Sequence, residues 1–85
     1  MDITNVKIFK FEPREGNRSR AVATVTFDDC FVVKEIRVIE GEGGKLIVGM
    51  PAKKVKEEWK DIAHPINSEF RQRLTSAVIE AYEKA

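Results

Sequence analysis

The sequence predicts an α+β fold, an antiparallel four- to five-stranded sheet with one C-terminal helix, and three observations predict it. Residues 3–50 are short β-branched and aromatic stretches separated by turn-forming clusters, the pattern of strands joined by tight connections. Residues 68–83 place Phe70, Leu74, Ala77, Val78, Ala81 and Tyr82 at helical spacing, which gathers them into one apolar stripe. The strands are apolar on both sides: Val6 and Ile8 against Phe9 and Phe11, Leu46 and Val48 against Ile47. One helix covers one face of a sheet, so the other face needs a second cover, and a homodimer supplies it.

Each element has its own local reason. Residues 3–11 read as a strand, ended by the loop cluster Pro13-Arg14-Glu15-Gly16-Asn17. Residues 20–27 alternate, with Ala21, Ala23, Val25 and Phe27 on one side and Val22, Thr24 and Thr26 on the other. Asp28-Asp29 makes a tight connection into a third strand, residues 31–40, which Gly41, Gly43 and Gly44 close. Residues 46–50 give a fourth strand before Pro51, and residues 59–62 a short fifth around Trp59. Pro65 biases His64 toward extended backbone, and Asn67 or Ser68 caps the helix that follows. Ile79 falls on nearly the opposite side of the helix from the stripe, where it is either an ordinary exposed residue or a subunit contact.

Composition narrows the function classes. The chain of 85 residues reads as a single domain, residues 1–85. A chain of this size buries only about 60–65% of its unfolded surface, so a partner subunit would add to its core. Its net charge of +1 falls short of the strongly basic balance of a dedicated nucleic-acid binder, so any such binding needs a local patch. Basic residues outnumber acidic ones only after Gly44, eight to six, against seven to eight before it. A lone Cys30 excludes an internal disulfide and a multi-cysteine zinc site. No leader and no apolar span is visible, which predicts a cytoplasmic protein without membrane insertion.

Candidate chemistry is sparse. His64 is the only imidazole, and general-base work would require a nucleophile or carboxylate within hydrogen-bond reach. A ring nitrogen bonding backbone at the strand-to-helix junction is the plainer role, with nucleic-acid contact as the other. Asp28 and Asp29 suit a turn better than a metal or an acid–base pair. Cys30 has no neighbouring His or Cys and reads as a small strand residue. Residues 41–44 share only glycine content with phosphate-cradling loops, because no Gly-Lys-Ser/Thr follows. Lys53, Lys54, Lys56, Lys60, Arg71 and Arg73 form either a solvated surface or a phosphate-binding one, with Trp59 beside them as a core, interface or base-stacking residue. Nothing implies a cofactor, a metal or an enzyme.

Four blocks carry a family resemblance: Phe27-Asp28-Asp29; Phe31-Val32-Val33 leading into Ile36-Arg37-Val38-Ile39-Glu40-Gly41; Met50-Pro51-Ala52-Lys53-Lys54; and Asp61-Ile62-Ala63-His64-Pro65-Ile66-Asn67-Ser68 with Arg71 soon after. In this order the chain resembles the stage V sporulation protein G family of septation regulators. The resemblance implies a small bacterial cytoplasmic homodimer that binds DNA and RNA and regulates transcriptional or post-transcriptional steps, including septation or sporulation. It favours the phosphate-binding reading of the basic set and implies Arg71, Lys53, Lys54 and Arg73 as nucleic-acid contacts, Arg71 occupying a position that is usually Arg in the family. The alternative is a protein-interaction adaptor in cell division or envelope control. The chain departs from the family pattern at Ala52, often Ser, and at Val55-Lys56-Glu57-Glu58, where a Pro-Asp-Gly turn is common.

Overall fold

Alternating and β-branched residues build a four-stranded antiparallel meander in the order β1 (Ile3–Lys10), β2 (Ser19–Phe27), β3 (Phe31–Glu40) and β4 (Leu46–Gly49). The computed structural model describes residues 1–11 and 18–85, so the loop read at Pro13-Arg14-Glu15-Gly16-Asn17 lies outside the described residues. The expected fifth strand does not join this sheet. Two further strands, β5 (Ala52–Val55) and β6 (Glu58–Asp61), pair as a separate hairpin, and α1 (Ser68–Lys84) closes the chain. Pro51 marks the division, since it has no amide hydrogen for a ladder. Its carbonyl instead accepts from the Ile62 amide at 2.7 Å and closes the root of the hairpin.

The core lies between α1 and one face of the meander. Ala21, Ala23, Val25 and Phe27 of β2 are buried with Ile36 and Val38 of β3, and Leu74 and Val78 of α1 join the same cluster. Register explains the match: Ile8 stands opposite Ala23, Val6 opposite Val25, and Val48 opposite Val38, so one pleat side of every strand points at the helix. Phe70 packs on Phe27 with ring centroids 5.9 Å apart. Ile79 is half-buried, so the covered arc of the helix is wider than the stripe alone implies.

Strict alternation fails once on β3, and the failure is useful. Val33 pairs with Val25 and Ile36 with Ala23, so β3 advances three residues while β2 advances two. This bulge returns both apolar side chains to the helix side. Glu35 absorbs it with φ of +65°, an uncommon conformation for a residue other than glycine.

The connections follow turn chemistry. Asp28 and Asp29 both have positive φ, and the Cys30 amide donates to the Phe27 carbonyl at 3.0 Å. The Asp28 carboxylate accepts from the Asp2 amide at 2.8 Å, which ties this turn to the start of the chain. Cys30 is therefore a turn residue, exposed before β3 begins, and not the strand residue that its apolar neighbours suggested. A single 3-10 turn at Glu42–Gly44 joins β3 to β4, with Gly43 and Gly44 supplying the left-handed backbone.

Among the described residues, no helix lies on the far side of the sheet. Phe9, Val22, Arg37 and Gly49 form one cross-strand row there, and Ile39 faces Ile47 in the next. Phe9 is 59% exposed, so this surface mixes apolar side chains with exposed Lys7 and Arg37 and half-buried Thr24.

Candidate functional site

The hairpin gathers the lysines. Lys53 pairs directly with Lys60, and Lys54 with Trp59. Residues opposite one another in an antiparallel pair project from the same face, so one side of the hairpin presents two ammonium groups and the other a lysine beside an indole. Like charges in this position are destabilising. Glu57, Glu58 and Asp61 also lie in or beside these strands, yet among the described residues none forms an ion pair with a hairpin lysine. Trp59 is 67% exposed, which rules out the core role its size suggested.

The turn of this hairpin needs no glycine. Lys56 and Glu57 both take positive φ, +49° and +68°, between the paired Val55 and Glu58. That is the two-residue I′ geometry whose twist suits a hairpin. Left-handed backbone costs about 1–2 kcal/mol for such residues. The sequence lacked the expected Pro-Asp-Gly turn signal, so β5 was not separable from the loop before it.

The helix start holds the two arginines apart. Asn67 is the cap: its side-chain oxygen accepts from the Phe70 amide at 2.7 Å, settling the choice between Asn67 and Ser68. Arg71 sits in the first turn, and its Nη2 donates to the Pro65 carbonyl at 3.2 Å. Among the described residues no carboxylate is within ion-pair distance of it. Arg73 points elsewhere. Its guanidinium lies 3.7 Å from Asp2 Oδ1 and stacks 5.5 Å from the centre of the Phe70 ring. Glu69 stands four residues before Arg73, the usual spacing of a helix ion pair; Asp2, just ahead of β1, supplies the carboxylate instead.

His64 meets backbone, as a junction residue would. Its Nδ1 is 3.0 Å from the Pro65 carbonyl, the same oxygen that receives Arg71. With its proton on Nδ1 the ring donates there. No group of three or more His, Cys, Asp or Glu among the described residues is placed to hold a metal ion, and no helix there is long and apolar enough to cross a membrane.

Sequence reasoning missed a concave apolar surface between the hairpin root and the helix start. Its volume is about 420 Å³, and Phe31, Met50, Ala63, Pro65 and Phe70 are among its walls. Pairing of Phe31 with Phe27 turns the Phe31 ring to the helix side of the sheet, where it stays 62% exposed. Strand alternation could have assigned the side, but not the hollow.

Comparison with known proteins finds similar sequences along nearly the whole chain. The SpoVG family model matches residues 1–84. A relative from Treponema denticola, bearing the name septation protein SpoVG, is 52% identical over 85 residues, covering 99% of this chain and 88% of its own length. A protein of the same name from Thermoanaerobacter pseudethanolicus is 52% identical over 86 residues, covering 100% and 90%. Another from Caldicellulosiruptor saccharolyticus is 52% identical over 84 residues, covering 98% and 92%. The name refers to septation and not to a catalysed reaction. With half of all positions shared at nearly full coverage, this chain belongs to the SpoVG family.

Proposed function

We propose that this protein is a cytoplasmic regulator that binds DNA or RNA as a homodimer, using Lys53 and Lys54 on the hairpin and Arg71 at the helix start. The observation that carries the reading is the direct opposition of Lys53 and Lys60 on a hairpin with no core of its own. Paired ammonium groups repel in isolation, and a phosphate between them turns that cost into attraction. On the opposite side of the hairpin, Trp59 beside Lys54 offers an exposed aromatic face on which an unpaired base can stack. Among the described residues Arg71 has no carboxylate partner, whereas Arg73 is engaged with Asp2 and contributes less. Control of septation or sporulation at the transcriptional or post-transcriptional level fits both this chemistry and the family name.

Dimerisation rests on the uncovered sheet face. Phe9, Val22, Ile39 and Ile47 lie on the side opposite α1, and a second copy laid there buries them. Two copies double the phosphate-binding surface and raise avidity where the spacing fits. The same apolar face supports the second reading, an adaptor for another protein in cell division or envelope control. Salt separates the two. Affinity for a fixed RNA and a fixed DNA falls steeply with salt if phosphates are the contact, while an adaptor shows no measurable affinity for either. Light scattering at micromolar concentration gives twice the chain mass for the homodimer; a monomer mass across that range removes it.

A further inference from the structure

We propose that the apolar hollow at the hairpin root takes one unpaired base of a single-stranded nucleic acid, while Arg71 at its edge holds an adjoining phosphate. This rests on the nucleic-acid reading above and adds what is bound and where. A volume of about 420 Å³ lies in the range of small-ligand sites, roughly 300–1,000 Å³. None of its lining residues is Lys, Arg, Asp or Glu. Such walls suit a flat, uncharged ring and reject a phosphate. Phe31 offers an exposed aromatic face, and unstacked bases settle on such faces.

Charge stands immediately outside. Pro65 lines the hollow, and its carbonyl oxygen lies 3.2 Å from Arg71 Nη2 and 3.0 Å from His64 Nδ1. The Arg71 guanidinium is thus fixed beside a mainly apolar space that the His64 imidazole itself helps to line. A nucleotide has the matching halves, an apolar ring and an anion one sugar apart. The hollow also adjoins the lysines: Met50 and Ala63, which line it, directly flank the hairpin of residues 51–62.

A second copy of the chain is a poorer occupant. A two-fold axis through this patch brings each Arg71 toward its own symmetry mate, and no carboxylate among the lining residues answers the two charges. A nucleotide supplies its own anion for each site.

The test is a methyl NMR titration of this 9.7 kDa protein, following Val33, Met50, Ala63 and Leu74 together with the backbone amides of Lys53 and Lys54. A short oligoadenylate should shift the pocket methyls through its ring current, and a blunt RNA duplex should shift the lysine amides alone. Phe31→Ala should weaken oligoadenylate binding roughly tenfold and leave duplex binding unchanged. If that variant does not fold, Ala63→Leu, which fills the hollow, should give the same loss. Lysine amides that respond to oligoadenylate without the methyls would overturn the base site and leave the nucleic-acid reading intact. Methyls that move with protein concentration alone would assign the hollow to a second copy. No shift anywhere would remove the functional reading itself.

Discussion

The meander under α1 and the β5–β6 hairpin are both antiparallel β-structure, but different forces hold them. On the meander side, Ala21, Ala23, Val25, Ile36, Val38 and Val78 are fully buried, and one pleat face of each strand supplies the core. The hairpin has no buried residue in either strand, and a lone two-stranded hairpin is marginal in water. Residues that stabilise little are free to serve another purpose, and here they are lysines set against one another and an exposed tryptophan. The proposed binding residues on the hairpin thus lie where the fold demands least of the side chain.

The largest effect separates the two regions by stability. Val78→Ala removes buried methyl groups from the centre of the core and is expected to cost about 1–3 kcal/mol. Trp59→Ala, a larger truncation, is expected to change global stability by less than about 0.5 kcal/mol, as exposed substitutions do. Urea melts of both variants measure this. A larger loss for Trp59→Ala would mean that the hairpin is covered in solution.

The next effect is on binding. Arg71→Ala is expected to weaken nucleic-acid affinity several-fold, about 1 kcal/mol for a lost charge-assisted contact, and Arg73→Ala less, because Asp2 already answers Arg73. Fluorescence anisotropy on one fixed RNA, with the fold of each variant checked, compares them. Equal losses would show that the two arginines act as one patch despite their separate partners.

Of comparable size but confined to folding is the helix cap. Asn67→Ala should cost about 1 kcal/mol through loss of the bond to the Phe70 amide, and Ser68→Ala only a few tenths. Both are read from denaturant midpoints. The reverse order would relocate the helix start.

The smallest effects sharpen the contrast further. Lys53→Ala relieves the repulsion with Lys60, so it should leave stability unchanged or raise it by a few tenths of a kcal/mol while reducing nucleic-acid affinity. Opposite signs in melts and binding would mark a residue kept for its partner. At the end of α1, the hydrogen bond from Lys84 holds the Glu80 carboxyl below its ordinary range and raises the Lys84 ammonium above its own. That contribution is present above the unfolded carboxylate pKa and is lost as acid protonates Glu80; at the other end it is lost as pH rises through the folded Lys84 pKa. Both groups are exposed, so Glu80→Gln is expected to leave the melting temperature unchanged within scatter at neutral pH.

Much of the meander was legible because its signal is periodic. Alternation along residues 20–27 assigned Ala21, Ala23, Val25 and Phe27 to one face, and the structure buries all four. Helical spacing found Leu74 and Val78 in the same way, while the cap was narrowed only to Asn67 or Ser68 before the bond to the Phe70 amide selected Asn67. What stayed hidden has no period. The β3 bulge depends on Glu35 adopting left-handed backbone, and the β5 turn on Lys56 and Glu57 doing so, although none of these residues advertises that geometry. Arg71 and Arg73 stand two positions apart on one helix yet take separate partners, and that of Arg73 is Asp2, seventy-one positions earlier. Opposition of Lys53 and Lys60 required the register of a strand that composition did not reveal.

The central claim is that phosphate contacts are made by the hairpin lysines and Arg71, and the salt dependence of binding tests it most directly. Affinity of the wild type and of the Lys53→Ala/Arg71→Ala double variant for one fixed single-stranded RNA is measured across a salt series. The expected result is a steep negative slope of log affinity against log salt for the wild type, and a slope shallower by about 0.7 for each single-strand phosphate contact removed. Superimposable slopes and affinities for the two proteins would contradict the claim and move the binding surface away from both the hairpin and the helix start.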